Sequence, residues 1–304
     1  MPKTAFLFPG QGSQHTGMGI EVLQDPEISQ LADRCSAAAG IDLRRLLAEA
    51  DDEELRLTTN AQPALLFMGV ALSALLQREG VEPYAAAGHS VGEYTALCVC
   101  GALSAEEAVR TVVKRGKAMA EAAPPGTSSM AAVLGLEPEL VEAALTGLPD
   151  VWPANYNTPT QTVVGGTMSG LERANARLKE TGARRIVPLN VAAAFHTPLM
   201  EPAGGVLRGT LDTVDWHAAT VPVIANLTAA PYRDAGPIPA ILERQLSSPV
   251  RWGDGVRQLA DLGCDRFIEV GPKRALTGMM RELVPDAIAY SVSNPEAARA
   301  LRLT

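Results

Sequence analysis

The sequence predicts an α/β fold built on a parallel sheet, with a smaller unit inserted into it. Three observations predict this. Short β-rich runs alternate with longer helical ones, as crossover units between parallel strands require. The pentapeptide Gly88-His89-Ser90-Val91-Gly92 falls where a strand reading ends and a helical one begins. The stretch from about Ser128 to Asn190 changes texture, reading β-α-β-β-α-β.

The elements follow in order. Thr4–Phe8 reads as a buried strand and leads into the Gly-rich turn Gly10-Gln11-Gly12-Ser13-Gln14. Ala61–Gln77 reads as a helix apolar over most of its surface, and Tyr84–Gly88 as a short strand. Gly92–Cys100 is apolar nearly all round, which predicts a buried helix. Ser104-Ala105-Glu106-Glu107 is a capping-box pattern opening another helix, in which Val109, Val112, Val113, Gly116 and Met119 share a face. Arg115 lies at the margin of that stripe and Lys114 nearer the solvent side, so periodicity allows Arg115 to be partly buried without requiring it. Pro124-Pro125-Gly126 then marks the junction to the small unit. There Met130–Leu134, Val151–Asn155, Gln161–Gly165 and Arg185–Leu189 read as strands, Glu137–Leu145 and Leu171–Thr181 as helices, the ferredoxin-like order. The chain returns with further helix and strand signals, including Arg266–Val270 before Gly271-Pro272.

Bulk properties narrow the function classes. A net charge of −8 argues against nucleic acid as the main partner. No run of eighteen apolar residues appears, so no transmembrane helix is expected, and the apolar run at the N-terminus is too short for a signal peptide. Cys35, Cys98, Cys100 and Cys264 have neither metal-ligand nor disulfide-framework spacing, and Cys98 and Cys100 lie in an apolar stretch that predicts core positions. A reducing cytoplasm is the expected compartment. No metal and no cofactor are expected.

The chemistry centres on Ser90. A sharp strand-to-helix turn crowds the backbone, flanking glycines relieve it, and the hydroxyl then projects from the sheet. The Val91 N–H, next along the chain, points to where an oxyanion would form. A serine needs a base, and the chain offers His15, His89, His196 and His217. His89 adjoins the serine and should diverge from it as a structural hydrogen-bonder; His217 follows Trp216 in a polar segment; His15 sits in the Gly-rich loop. His196 ends the apolar segment Val191–Phe195 before Thr197-Pro198, a pattern that fits a core histidine as well as a base. The Gly10–Gln14 turn has neither dinucleotide nor P-loop spacing, but Gln11 could offer its side-chain amide to an oxyanion.

Together these residues resemble the malonyl-CoA:acyl carrier protein transacylases and the related acyltransferase domains of polyketide synthases. The resemblance runs through nearly the whole chain: FPGQGSQ (Phe8–Gln14), AQPALL around Gln62, GHSVGEY (Gly88–Tyr94), KRGKAM around Arg115, NYNTPTQTVVGG (Asn155–Gly166), AAFHTPLM (Ala193–Met200), SPVRW (Ser248–Trp252) and EVGPKRALTG (Glu269–Gly278). It implies an α/β-hydrolase-like large domain over 1–126 and 192–304, with the ferredoxin-like subdomain over 127–191. It implies Ser90 as nucleophile and His196 as base, Val91 N–H and Gln11 at the oxyanion, and Arg115 with Gln62 at the acyl group. The histidine is then oriented by a backbone carbonyl, which the SPVRW match assigns to Arg251. Arg115 would pair bidentately with a malonyl carboxylate and find no partner in acetyl. Phe195 would crowd a methyl branch. Two positions depart from the family pattern: Ala193 stands where malonyl-specific polyketide domains usually have a histidine, which bacterial fatty-acid enzymes also lack, and Val91 stands where leucine is commoner.

The implied activity moves malonyl from coenzyme A, a substrate rather than a cofactor, to the phosphopantetheine thiol of an acyl carrier protein acting in trans. The chain is expected to be a monomer with no membrane partner. The carrier would meet a local basic patch, for which Lys114, Lys117, Arg184, Arg185, Lys273 and Arg274 are candidates. Two other classes remain open at this stage. One is a hydrolase that clears acyl groups from carriers, the other a non-catalytic carrier-binding protein on the same fold.

Overall fold

A computed structural model describes residues 3–124 and 126–301. Pro125, in the expected junction turn, lies outside them.

Among the described residues, nine strands form two sheets: β1 (Thr4–Phe8), β2 (Ala85–Gly88), β3 (Ser128–Leu134), β4 (Val151–Thr158), β5 (Gln161–Thr167), β6 (Arg185–Pro188), β7 (Val223–Ile224), β8 (Arg266–Val270) and β9 (Ile288–Val292). The first sheet has the order β7-β2-β1-β8-β9, and every pairing in it is parallel. All five residues of β1 are buried, because helices cover both faces of the sheet. The chain starts in the middle strand and later adds strands on either side, so a topological switch point lies beside β1. Ligands of such sheets bind there, beyond the C-terminal strand ends.

The second sheet has the order β4-β5-β3-β6 and is antiparallel throughout. Helices Pro138–Leu145 and Met168–Glu180 cover it, around their own apolar cluster that includes Val133, Val141, Val164, Leu171 and Leu178. The two parts are stapled where Val250 N donates to Ala154 O at 2.9 Å and Tyr156 N to Val250 O at 2.9 Å.

Helix Thr58–Arg78 is long and apolar enough to cross a membrane by length and composition, yet most of it is buried inside the protein as the central core helix. It starts three residues before the sequence reading, because its first turn, Thr58-Thr59-Asn60, is polar and carries no apolar periodicity. Helix Ala105–Ala122 opens on Ser104, whose Oγ accepts from Glu107 N at 3.2 Å. It lies so close to Thr58–Arg78 that a methyl group at Gly116 would sit 2.9 Å from Thr58 O. That approach sets the preceding residue, Arg115, against the core helix. The four cysteines are free, and Cys100 is buried as expected.

Candidate active site

Ser90 stands on the turn between β2 and helix Gly92–Val99, with φ of 55°. A non-glycine residue held there is strained, and such strain persists only where the surroundings enforce it. Here the enforcement is legible in the flanking glycines. A Cβ on Gly88 would lie 1.8 Å from Gly92 O, and one on Gly92 would lie 2.2 Å from Phe8 O. No side chain fits at either position, so the chain can turn this tightly only with glycine at both.

The imidazole beside Ser90 arrives from far along the chain. His196 has φ of 59° and sits in a buried loop fixed by Ala194 N donating to Ser128 Oγ at 3.1 Å. Its Nε2 lies 2.7 Å from Ser90 Oγ, and its Nδ1 lies 2.8 Å from Gln245 O. A carbonyl can only accept, so Nδ1 carries the proton and Nε2 is the free acceptor facing the serine. Arg115 Nη2 donates to the same Oγ at 3.1 Å, which leaves the serine proton directed at His196. Burial, with the Arg115 charge, pushes the imidazole pKa down to about 3 against the pull of the Gln245 carbonyl, so the ring is neutral.

The carbonyl on His196 thus belongs to Gln245, not to Arg251. The Arg251 carbonyl accepts from Gly255 N at 3.0 Å, in the first turn of helix Trp252–Asp261, and its guanidinium pairs with Asp254 on the surface. The motif SPVRW marks the staple to the small sheet, and the orienting residue lies three positions before it.

Arg115 is 1 % exposed, although periodicity placed it only at a stripe margin. Nη1 donates to Gln62 Oε1 at 2.8 Å, Nη2 also donates to Gln245 Oε1 at 3.0 Å, and the guanidinium lies 5.5 Å from the Tyr94 ring centroid. Burial draws its pKa below the ordinary guanidinium value, opposed by Tyr94 and Glu93. Among the described residues no carboxylate is within ion-pair distance of it. Gln62 is buried and its amide also points at Met119 Sδ, 3.3 Å away.

Gln11 lines the same cavity, but its side-chain amide rests on Thr58 Oγ1 at 3.3 Å and Arg56 O at 3.4 Å. Its backbone N–H and that of Val91 have no partner among the described residues, so main-chain donors are the ones free for an oxyanion. The cavity is about 200 Å³ and also meets Met130, Val163, Leu189, Phe195 and Leu276. A larger groove of about 550 Å³, between Glu142 and Arg257, reaches none of the residues that line this cavity.

The other histidines separate as their surroundings dictate. His89 turns from Ser90 and bonds Asn157 Oδ1 through Nε2 at 3.1 Å, as a structural hydrogen-bonder should. His217 is exposed beside Asp215, and His15 Nδ1 meets Thr16 O at 3.0 Å. The sequence reading passed over three polar residues. Asn226, just past β7, accepts from Ser90 N at 2.7 Å and donates to Gly88 O at 2.7 Å. Gln245 donates to Ser90 O at 3.0 Å, and Glu93 lies beneath both. Asn226 had a readable signal, being polar at the C-terminal end of an apolar strand, and Glu93 had another, being a charge on a helix expected to be buried. No group of three or more His, Cys, Asp or Glu residues fit to hold a metal occurs among the described residues.

A serine hydroxyl hydrogen-bonded to a neutral imidazole, on a strained elbow over a parallel sheet, defines an enzyme of the serine acyl-transfer class. Residues 5–296 match the acyl transferase domain family. Malonyl CoA-acyl carrier protein transacylases from Bacillus subtilis and Escherichia coli K12 are 42 % and 40 % identical to this chain, covering 97 % and 100 % of it and 95 % and 100 % of themselves. Among solved structures, an acyl carrier protein S-malonyltransferase from Vibrio cholerae superposes with a TM-score of 0.94 at 37 % identity, over 99 % of this chain and 100 % of that one. A malonyl-transacylase in complex with its type II polyketide acyl-carrier protein gives 0.93 at 36 % identity, over 97 % of each chain. The chain therefore belongs to the malonyl-CoA:acyl carrier protein transacylase family and is an acyltransferase.

Proposed function

We propose that this enzyme transfers malonyl from malonyl-CoA to the phosphopantetheine thiol of an acyl carrier protein through a malonyl-Ser90 ester. The observation that carries the reading is the position of Arg115, a buried guanidinium with no carboxylate partner among the described residues, whose Nη2 touches the Ser90 hydroxyl. A malonyl group bound to Ser90 ends in a carboxylate, which supplies the missing anion in a bidentate pair.

Ser90 Oγ attacks the thioester carbonyl while its proton passes to His196 Nε2. The Gln245 carbonyl at Nδ1–H steadies the imidazolium. The Val91 and Gln11 main-chain N–H groups hold the oxyanion. Collapse expels the coenzyme A thiolate, which takes the proton from Nε2. The carrier thiol then gives its proton to His196 and attacks the ester; Ser90 Oγ leaves, taking that proton back from Nε2, and the malonyl thioester of the carrier is released, completing a ping-pong cycle. Phe195 narrows the cavity against a branched acyl group.

The strand order β4-β5-β3-β6 and the β-α-β-β-α-β chain order support a ferredoxin-like subdomain over 127–191. The parallel sheet with its elbow supports an α/β-hydrolase-like domain over 1–126 and 192–304. The six cations proposed for carrier docking are all exposed. We place the enzyme in the cytoplasm, acting as a monomer, with no resident cofactor. The transacylase names of its relatives favour transfer over hydrolysis. Incubation with malonyl-CoA alone, followed by intact-protein mass, should give a stable adduct that disappears on adding carrier. Rapid loss of the adduct in water, or an equal adduct on Ser90→Ala, would overturn the reading.

A further inference from the structure

Glu93 is 0 % exposed, on the first turn of the helix that follows the nucleophile. Nothing in the reaction sequence above uses it. A charge there must be fully partnered to be tolerated. Its Oε2 accepts from Gln245 Nε2 at 2.6 Å and from Asn226 N at 3.1 Å, while Oε1 accepts from the Tyr232 hydroxyl. These partners come from three segments, all more than a hundred residues away in sequence.

Polarity gives the contact its consequence. A carboxylate only accepts, so the NH2 side of the Gln245 amide must face Glu93. The amide oxygen is thereby turned to Arg115 Nη2, 3.0 Å away, and Nε2 also reaches Ser90 O at 3.0 Å. With the amide reversed, its oxygen would oppose the carboxylate and the Ser90 carbonyl, and its NH2 would oppose the guanidinium. Asn226 is held likewise: its N–H is on Glu93, and its side chain spans Ser90 N and Gly88 O, the two sides of the elbow. Glu93 also offsets the buried Arg115 charge through Gln245 without pairing with it, which leaves the guanidinium open to an acyl carboxylate.

We infer that Glu93 is a positioning residue for acyl transfer, fixing the Gln245 amide and the Asn226 clip and through them the alignment of Ser90 and Arg115. This rests on the roles proposed above for Ser90 and Arg115. Glu93→Gln keeps the shape but turns an NH2 toward groups that are themselves donors. A displacement of the reacting atoms of this kind costs about 100-fold. The expected result is a kcat for malonyl transfer lowered by about 100-fold, a KM for malonyl-CoA changed by less than about 3-fold, and a partial return of kcat in Glu93→Asp. Wild-type kcat in folded Glu93→Gln would overturn the inference. So would a rise in KM with kcat intact.

Tyr232→Phe removes one donor from the same carboxylate and keeps its charge, so it reads the idea even where Glu93→Gln does not fold. A kcat lowered by about 3-fold or more at unchanged KM supports it, and full activity overturns it. Inactivation by a fluorophosphonate probe reads Ser90 reactivity without any thioester and should slow in parallel with kcat. A wild type that reacts with the probe yet refuses malonyl-CoA would sink the proposed substrate and leave the Glu93 inference standing.

Discussion

Arg115 Nη2 and Ser90 Oγ lie 3.1 Å apart, so the cation that would receive the acyl carboxylate already touches the nucleophile. Its other amino group is held by Gln62, which fixes the plane of the guanidinium before substrate arrives. Arg115→Ala should therefore lower malonyl transfer by the loss typical of a buried charge pair, about 2–5 kcal/mol or on the order of 100-fold in kcat/KM. Acetyl transfer should fall much less. Competition between malonyl-CoA and acetyl-CoA measures this directly, and an unchanged preference in the variant would remove Arg115 from the acyl site.

His196 predicts a pH dependence of stability. Its folded pKa of about 3 lies below the ordinary imidazole value of 6.5, so as pH falls below 6.5 the unfolded chain takes up a proton that the folded one refuses. Stability attributable to this group is complete above that point and declines by up to about 1.4 kcal/mol per pH unit as acidity rises. Burial of Glu93 acts in the opposite sense: its folded pKa is pushed up to about 7 from the ordinary carboxyl value of 4.5, which stabilises the fold as pH falls between those values. The two offset one another over much of the range, so His196 is best isolated by difference. The gap in urea-unfolding free energy between wild type and His196→Gln should shift in the variant's favour from neutral pH down to pH 4. A gap independent of pH would mean that the imidazole is not held neutral.

The elbow glycines predict a sharp contrast between positions. Gly88→Ala forces a Cβ to 1.8 Å from Gly92 O, and only backbone movement can relieve it. Loss of activity together with a destabilisation of about 3 kcal/mol or more is expected. Gly209, in the helix Glu201–Leu211, has nothing within 4 Å of an added Cβ. Gly209→Ala should raise stability by about 0.5–1 kcal/mol through its helical preference and leave transfer untouched. Thermal unfolding of both variants decides, and a tolerant Gly88→Ala would contradict the geometry.

Glu269, the penultimate residue of β8, is fully buried, with its carboxylate accepting from Ala275 N at 2.6 Å, Leu276 N at 2.9 Å, Thr277 N at 2.7 Å and Thr277 Oγ1 at 2.9 Å. Ala275 and Leu276 line the cavity, so this carboxylate holds one wall of the site. Glu269→Gln should cost about 1.5–3 kcal/mol of stability. It should also raise KM for malonyl-CoA more than it lowers kcat. Steady-state kinetics at a temperature where the variant stays folded tests this, and an unaltered KM would detach the wall from substrate binding.

The β-α-β-β-α-β order and the elbow were readable because each is written in local pattern. Strands β1 and β8 match their sequence readings residue for residue, since each runs directly into a Gly/Pro turn, Pro9-Gly10 or Gly271-Pro272, that fixes its end. The helices between Pro26 and Arg56 went unread: Pro26–Ala39 buries only Ile28, Ala32 and Cys35, small or widely spaced positions, and Leu43–Ala48 and Asp52–Arg56 are too short to show a period. At the site, Ser90 and Arg115 stand in recognisable segments. Gln245 does not, because it acts through a carbonyl that every residue has and through an amide whose partners come from elsewhere in the fold. Arg251 was assigned by motif for the same reason, six residues from the carbonyl that does the orienting.

The staple at Val250 bears on how the enzyme comes into being. The elbow is complete once β2 has paired with β1, yet Asn226 and Gln245 lie far downstream and Glu269 further still. A ribosome-bound chain that has released only its first two hundred residues holds Ser90 and His196 but lacks the carbonyl that fixes the imidazole proton. The partners that order the serine and the imidazole thus come together only after the polypeptide has been made past Gln245.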